Sequence, residues 1–289
     1  MTIDVLQKRI KTTQDLRGIV STMKALSSVS ILQYEQADRA LKKYRDNLSD
    51  AFHALVLSQG LPDMVKDHTA PRYLFILIGS DSGLVGKFNK DVLESAENQL
   101  KSLKVNLSDS WFITVGKRIT ALAEQKQLKL FAKYASANSI KAVNSIAETL
   151  IIKIDEAISK KHINNVFILY HKRGKSSAVT LEQQTLIPFN YAKMKKLREK
   201  KWPTDNIVQT DLPKEVLFKE IINQILGISL ISFLNFSLAA EHYIRMTNMQ
   251  NAEKNIDENL EEMNLEYQQQ RQEEITGELI DIVAGYQAM

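Results

Sequence analysis

The sequence predicts an α/β protein in which long N- and C-terminal helices form an antiparallel coiled coil around a small inserted α/β domain. Both ends of the chain, residues 1–58 and 214–286, are long stretches without proline. Apolar residues recur in both at intervals of three and four, which is the spacing of a coiled-coil helix. Between these ends, short apolar runs alternate with helical segments, a pattern typical of an α/β sheet.

The N-terminal coiled-coil helix is predicted over residues 1–60. Its apolar or small residues fall into two sets with coiled-coil spacing, Leu16, Ile19, Met23, Leu26 and Ser30, then Tyr34, Ala37, Leu41, Tyr44, Leu48, Ala51 and Leu55. The step between the two sets is one residue longer than the repeat requires. Such an insertion changes the winding of a supercoil without ending the helix, so a shift of register is predicted there.

The C-terminal coiled-coil helix is predicted over residues 213–289. One seam consists of Met249, Ile256, Leu260, Met263 and Tyr267, and Ile275, Leu279, Ile282 and Tyr286 continue it after a shift. At 1.5 Å per residue this helix would be roughly 110 Å long, and the N-terminal helix roughly 80 Å. The longer helix must therefore extend past its partner. The apolar residues in that extension indicate that its end lies inside another protein.

A central α/β, Rossmann-like domain is predicted over residues 61–190, where glycine and proline interrupt the helical pattern. The predicted strands are Tyr73–Ile78, Trp111–Val115, Val166–His171 and Ala178–Ile187, and the predicted helices are Lys90–Leu103, Lys117–Gln127 and Ile140–Lys160. The first and third strands are nearly continuous apolar runs, as is typical of strands covered on both faces. Residues 191–212 are predicted to form a basic loop that leads back to the long helix.

The composition excludes several classes of protein. The 289 residues include no cysteine, which excludes disulfides and thiolate sites and favours an intracellular protein. The N-terminus lacks the apolar segment of a signal peptide. The most apolar stretch, Ile221–Ala239, is interrupted by polar residues, so a helix buried by protein is predicted rather than a membrane span. The net charge of +4 is uneven, because residues 240–289 contain eleven acidic and three basic side chains.

No catalytic, cofactor-binding or metal-binding residue is predicted. The segment Gly79–Asn89 (GSDSGLVGKFN) follows a strand and opens a helix, where phosphate-binding loops lie, but its glycine spacing fits no such motif. A tight turn with Asp81 or Ser82 capping the following helix is favoured. The five histidines lack partners at the spacing of a metal site. The basic run Lys193–Lys201 has few aromatic neighbours, which favours a solvated loop or a rim contact to an acidic protein over a nucleic-acid site.

Four segments resemble the gamma subunit of F-type rotary ATPases, and together they span nearly the whole chain. They are Arg9–Ala37 (RIKTTQDLRGIVSTMKALSSVSILQYEQA), Ser80–Asn89 (SDSGLVGKFN), Ala240–Ile256 (AEHYIRMTNMQNAEKNI) and Arg271–Gly285 (RQEEITGELIDIVAG). The most specific part is the spaced set Glu241, Arg245, Met246, Met249, Ala252, Asn255, Arg271, Gln272, Ile275, Thr276, Glu278 and Leu279. On these segments the chain is identified as a member of that family.

The strand-turn segment departs from the usual family pattern. Ser82, Val85 and Lys87 occupy positions where the family usually has arginine, cysteine and glycine. Together with TMKAL (Thr22–Leu26) and QYE (Gln33–Glu35), this segment is similar to the alternate, N-type F-ATPases.

The resemblance implies a non-catalytic central rotor shaft that needs no cofactor and couples ion translocation to ATP synthesis or hydrolysis. The implied partners are the alpha and beta subunits of the α3β3 ring, the epsilon subunit and the membrane c-ring, with no nucleic acid. The implied location is peripheral, at the cytoplasmic face of the bacterial plasma membrane.

The resemblance also implies contacts between rotor and stator. Met23 and Lys24 would face the acidic lever segment of the catalytic subunits, and Glu241 and Arg245 would lie where the two helices part. The residues that would meet the upper loops of those subunits are Arg271, Gln272, Thr276 and Glu278.

Three alternatives remain at the level of sequence. The first is a coiled-coil adaptor unrelated to ATPases, and the second is a small enzyme that uses Gly79–Asn89 to bind a phosphate ligand. The third is a V-type rotor, which the strands of the central segment disfavour, because such rotors lack an α/β insert.

Overall fold

The protein is described from a computed structural model that covers residues 2–60, 70–106, 109–174, 178–188, 202 and 212–287. In chain order the elements are α1 (Ile3–Gln59), β1 (Tyr73–Ile78), α2 (Phe88–Ser102), β2 (Ser110–Val115), α3 (Lys117–Gln125), β3 (Leu130–Tyr134), α4 (Ile140–Lys161), β4 (Asn165–Arg173), β5 (Val179–Ile187) and α5 (Lys214–Gln287). The basic run predicted at Lys193–Lys201 lies outside the described residues.

The described chain forms two compact units. The coiled-coil unit consists of the chain up to residue 29 together with the chain from residue 243 onward, and the sheet unit consists of residues 30–242. Helices α1 and α5 each contribute to both units.

The centre of the sheet unit is a five-stranded sheet in the order β3-β2-β1-β4-β5. Neighbouring strands from β3 to β4 are parallel, and β5 pairs antiparallel with β4. The strand order of the parallel part is that of a Rossmann-type sheet. The predicted α/β class with long terminal helices is therefore confirmed.

Both faces of the sheet are covered by helices. Because alternate residues of a strand point to opposite faces, one strand contributes to the core on each side. In β1, Leu74, Ile76 and Ile78 lie in a core cluster with residues of α4 and of the apolar part of α5. Tyr73, Phe75 and Leu77 lie in a second cluster with α2 and α3. All six residues of β1 are buried, which explains the continuous apolar run.

The strand β3 was not predicted. It is an edge strand whose residues are half-buried, apart from an exposed lysine, Lys133. Its sequence, LFAKY, is short and lacks the long apolar run by which β1 and β4 are predicted. No proline separates it from the preceding helix. The other predicted strands and helices are confirmed, with ends that differ by a few residues.

The apolar stretch of α5 packs against the sheet. By length and composition α5 would pass as a membrane span, with a window of mean hydropathy 1.7. Within Ile221–Ala239, however, only Asn223 and Gln224 are exposed. Four leucines of this stretch lie in the core cluster on the α4 side of the sheet, Leu226, Leu230, Leu234 and Leu238. The predicted burial by protein is confirmed.

The buried face of α1 differs from the prediction in its first half. Leu6 and Ile10 are buried in the coiled-coil unit together with Ser27, whereas Leu16 and Leu26 are 50% and 63% exposed. In the sheet unit the predicted Tyr34, Leu48 and Leu55 are buried, as are Ile31 and Phe52. From residue 20 to residue 55, buried or half-buried positions follow steps of three and four without an added residue, so the predicted shift of register is wrong.

Candidate functional site

Charged side chains occupy the seam of the coiled-coil unit. Lys24 of α1 forms an ion pair and hydrogen bond with Glu253 of α5, and Arg17 pairs with Asp257, with 2.5 Å between Nε and Oδ1. Lower-numbered α1 residues pair with higher-numbered α5 residues, so the helices are antiparallel. The hydrogen bond from Lys24 lowers the pKa of the Glu253 carboxyl group below its usual range.

The two predicted contact residues of α1 have different surroundings. Met23 is half-buried. The side chain of Lys24 is 36% exposed, but its ammonium group is engaged by Glu253. A contact from Lys24 to another subunit would therefore compete with the pair to Glu253.

Glu241 and Arg245 are among the few buried charged residues of α5. Glu241 is 5% exposed in the sheet unit. Burial raises the pKa of the Tyr34 hydroxyl group, and the negative charge of the Glu241 carboxylate raises it further. Arg245 is 7% exposed in the coiled-coil unit. Each of these two side chains is therefore largely covered within its own unit.

The end of α5 is the most exposed part of the described chain. Every residue from 271 to 283 is exposed, including the four predicted contact residues, Arg271, Gln272, Thr276 and Glu278. The Thr276 hydroxyl group donates a hydrogen bond of 2.7 Å to the Gln272 carbonyl oxygen, which keeps that hydroxyl on the helix. We call residues 271–283 the C-terminal overhang, because the half-buried seam of α5 ends at Gln270.

Five exposed large apolar side chains lie on the overhang. The exposed fractions lie between 47% and 66% for Ile275, Leu279, Ile280, Ile282 and Val283. Contiguous exposed apolar surface of this kind marks sites of protein–protein interaction.

The turn after β1 makes its hydrogen bonds within the chain. The Asn89 amide oxygen accepts from the Ser80 backbone N–H at 2.9 Å, and the amide nitrogen donates to the Ser80 hydroxyl at 2.9 Å. Asp81 accepts from the backbone N–H groups of Lys117 and Ser136, both at 2.8 Å. Asp81 thus caps α3 and not α2, whose N-cap residue is Lys87 with no side-chain cap, so the predicted cap is wrong.

A family model described as ATP synthase matches residues 2–289. The chain belongs to the ATP synthase family. The ATP synthase gamma chain of Clostridium acetobutylicum is 25% identical over 289 residues, covering 99% of this chain and 97% of that protein. The gamma chain of Geotalea uraniireducens is 26% identical over 291 residues, covering 98% and 97%.

Solved structures from ATP synthases share the fold. A chain of the Euglena gracilis mitochondrial ATP synthase, in a structure described as OSCP/F1/c-ring in rotational state 3, matches with a TM-score of 0.64 at 17% identity. That match covers 100% of this chain and 94% of the other. A chain of the Euglena rotor in rotational state 1 matches with a TM-score of 0.61 at 16% identity, covering 95% and 99%.

In this ATP synthase family member, sequence reasoning missed an exposed apolar stripe on α1. Leu16, Ile19, Leu26 and Val29 of the coiled-coil unit are 50% to 63% exposed. The pattern had placed the first three in the seam, because apolar spacing alone does not distinguish two parallel stripes on one helix. The signal that separates them is charge, since Arg17 and Lys24 lie at seam spacing and find acidic partners on α5.

Proposed function

We propose that the chain is the central rotor shaft, the gamma subunit, of an F-type ATP synthase. The shaft is non-catalytic and couples ion translocation in the membrane ring to ATP synthesis or hydrolysis in the catalytic subunits. The observation that carries this proposal is the C-terminal overhang, thirteen exposed residues with five large apolar side chains. Exposed apolar surface of this extent requires a protein environment that the described residues do not supply.

The relatives and the shared fold support the proposed partners. Curated relatives are named ATP synthase gamma chains, and the Euglena structures that share the fold are described as a rotor and as an OSCP/F1/c-ring assembly. The proposed partners are the alpha and beta subunits, the epsilon subunit and the c-ring. The proposed location is the periphery of the bacterial plasma membrane on its cytoplasmic side.

The division of labour along the chain is part of the proposal. Residues 1–60 and 213–289 form the shaft, residues 61–190 bind epsilon and the c-ring, and residues 191–212 connect the two. Contacts with the catalytic ring are assigned to Met23, Lys24, Glu241, Arg245, Arg271, Gln272, Thr276 and Glu278. The N-type subgroup stays a prediction from the sequence motifs.

Replacement of both Arg271 and Gln272 by alanine tests the proposal in a complex reconstituted with the alpha, beta and epsilon subunits. Both side chains are exposed, so their removal leaves the isolated chain as stable as before. We expect a severalfold loss of ATPase activity, measured as hydrolysis by this complex, and a loss of proton or sodium pumping, measured in vesicles that contain the complete membrane-bound enzyme.

The matched control is the double variant Lys254→Ala and Glu258→Ala, which removes an exposed ion pair of α5 that is not among the assigned contacts. Its activity should equal that of the unaltered chain. Unchanged coupling in the Arg271 and Gln272 variant would refute the assignment of those two residues. Failure of the unaltered chain to copurify with catalytic ATPase subunits would refute the rotor proposal itself and favour an adaptor.

A further inference from the structure

Two charged side chains interrupt the seam of α1 in the sheet unit. The seam consists of two rows of residues, each with a repeat of seven, as in a coiled coil. One row is apolar throughout: Tyr34, Leu41, Leu48 and Leu55. The other row has charge at its two central positions: Ile31, Asp38, Arg45 and Phe52. Every residue of both rows is buried or half-buried, so Asp38 and Arg45 occupy positions that coiled coils usually fill with apolar side chains.

Asp38 and Arg45 form an ion pair that also contacts α5. The Arg45 guanidinium group donates to the two carboxylate oxygens of Asp38 at 2.6 and 3.2 Å, and to the Ser232 hydroxyl oxygen at 2.5 Å. Asp38 is 9% exposed and Ser232 is 4% exposed. Because Asp38 and Arg45 belong to the same helix, their pair alone cannot select a position along α5. The hydrogen bond to Ser232 can, because Ser232 belongs to the other helix.

The row of α5 that contains Ser232 offers Arg45 one acceptor. The members of this row, again with a repeat of seven, are Phe218, Ile225, Ser232 and Ala239. A slip of seven residues brings the same faces of two seam helices together again. It would place Arg45 opposite Ile225 or Ala239, whose side chains accept no hydrogen bond. Within this row, only the observed register gives the guanidinium group a side-chain acceptor.

Apolar packing next to this group is incomplete. A cavity of about 230 Å³ beside Arg45 is lined by Leu48 and Phe52 of α1 and by Ile225 and Ile228 of α5. Interlocking side chains fix the position of two packed helices, and a cavity removes part of that contact. Apolar contacts therefore discriminate less sharply between registers here than in a filled core.

Other polar contacts of α1 in the sheet unit use acceptors that are more exposed than Ser232. The Tyr44 hydroxyl group donates to the exposed Gln224 at 3.0 Å, and Arg173 donates to Glu35 at 2.8 Å. The Glu35 side chain is 34% exposed. Contacts that water reaches contribute little, because water can replace either partner. We therefore assign the selection of register to the buried contact with Ser232.

We propose that Asp38, Arg45 and Ser232 fix the register of α1 on α5 in the sheet unit. Asp38 holds the guanidinium group in place, Ser232 accepts one of its hydrogen bonds, and a slip of one heptad removes the contact with Ser232. One hydrogen bond to a charged group favours the native register by about tenfold or more. Buried polar groups at seam positions have this role in other helix pairs, where they add specificity rather than stability. The inference concerns the sheet unit alone and does not depend on the proposed function.

The distance between two spin labels on the full chain tests the proposal. The sequence contains no cysteine, so Lys42→Cys on α1 and Asn223→Cys on α5 introduce two unique labelling sites, both at exposed positions. A slip of seven residues moves one helix along the other by about 10 Å. We expect one narrow distance in pulsed EPR for the labelled chain without further substitutions.

The double variant Asp38→Leu and Arg45→Leu makes the second row of α1 apolar throughout. Because both charges are removed together, its thermal midpoint should equal or exceed that of the labelled chain. We expect its EPR distribution to contain a second distance, displaced by up to about 10 Å. The matched control, Lys43→Leu with Asp46→Leu, makes the same change at exposed positions of α1 and should keep the single distance.

Substitutions of Ser232 isolate the contact between the two helices. Ser232→Ala removes the acceptor and should also give the second distance, whereas Ser232→Thr keeps a hydroxyl group and should keep the single distance. The control Ser229→Ala removes a hydroxyl group that donates to the Ile225 carbonyl oxygen of its own helix at 2.7 Å. This control should keep the single distance.

A folded double leucine variant that shows only the original distance overturns the proposal. If circular dichroism shows that this variant does not fold, the two Ser232 variants give the answer. A second distance in Ser232→Ala that is absent from Ser232→Thr supports the proposal, and any other result for these two variants overturns it.

Discussion

His171 is a buried titratable side chain that the proposed function does not use. It is 3% exposed on β4, its ring stacks on Phe88 at 4.0 Å between centroids, and its Nδ1 atom has no partner in the described residues. Burial lowers the pKa of His171 from 6.5 to about 4, because a charged imidazolium is poorly solvated there. The native state therefore holds this side chain neutral.

Replacement of His171 by phenylalanine should reduce the loss of stability in acid. Below pH 6.5 the unfolded chain binds a proton at His171 that the native state does not bind. The free energy of unfolding therefore falls as the pH is lowered from about 6.5 to about 4. We compare the free energy of unfolding of the variant with that of the unaltered chain. We expect this difference to favour the variant by about 2 kcal/mol more at pH 5 than at pH 7. Urea denaturation across this range measures it.

The exposed His162 provides the control for that measurement. His162→Asn keeps a residue that tolerates the left-handed conformation found there, with φ of 53°. Its stability curve should run parallel to that of the unaltered chain. A His171→Phe curve that is also parallel would show that His171 does not account for the acid sensitivity.

Gly116 occupies a position that no other residue fits. Its φ is +123°, and an added Cβ atom would lie 2.8 Å from the Gly79 carbonyl carbon and 2.9 Å from the Ser80 backbone. Gly116→Ala should therefore destabilise the sheet unit by about 3 kcal/mol or more in thermal or urea denaturation.

Gly18 provides the opposite case in the middle of α1. An added Cβ atom there meets nothing within 4 Å. Gly18→Ala should raise stability by roughly 0.5–1 kcal/mol, because alanine favours the helix. An equal effect of the two alanine substitutions would contradict the close approach at Gly116.

At the scale of elements, ion pairs with α5 as well as apolar side chains determine which face of α1 forms the seam of the coiled-coil unit. The exposed stripe of Leu16, Ile19 and Leu26 is more apolar than the seam positions Arg17 and Lys24. The seam nevertheless contains these two charged residues, because acidic residues of α5 lie opposite and form an ion pair with each. Polar residues at seam positions are known to specify register at a cost in stability, and we expect the same here.

Leucine-to-alanine substitutions distinguish the two stripes. Leu6 is fully buried, so Leu6→Ala should cost about 2 kcal/mol or more in stability, measured by urea denaturation followed by circular dichroism. Leu26 is 63% exposed, so Leu26→Ala should change stability by less than about 0.5 kcal/mol. The reverse order would restore the seam predicted from spacing.

At the scale of the whole molecule, the C-terminal overhang makes little contribution to the stability of the isolated chain. A chain that ends after Gln270 lacks only the overhang and the last few residues, and residues 271–283 are exposed. We expect its thermal midpoint to stay within about 2 °C of the full chain. Its reconstituted complex should lose coupling.

Deletion at the other end should have the opposite effect. A chain that begins after Ile10 loses the buried Leu6 and Ile10, so its thermal midpoint should fall. A large fall in the midpoint after removal of the overhang would show that the overhang packs on this chain and not on a partner.

The sequence by itself determined the family and most of the elements. β1 and β4 could be predicted because strands buried on both faces must be apolar throughout, and the long helices because proline is absent and apolar residues recur with helical spacing. The exposed overhang followed from the unequal lengths of the two helices. These are local properties, which each segment carries without its neighbours.

Only the tertiary structure decided which stripe of α1 is buried, that β3 joins the edge of the sheet, and that Asp81 caps α3. Each of these features depends on which residues from distant parts of the chain lie opposite one another. Apolar spacing reports the preference of one segment for burial, whereas ion pairs, edge strands and caps require a specific partner.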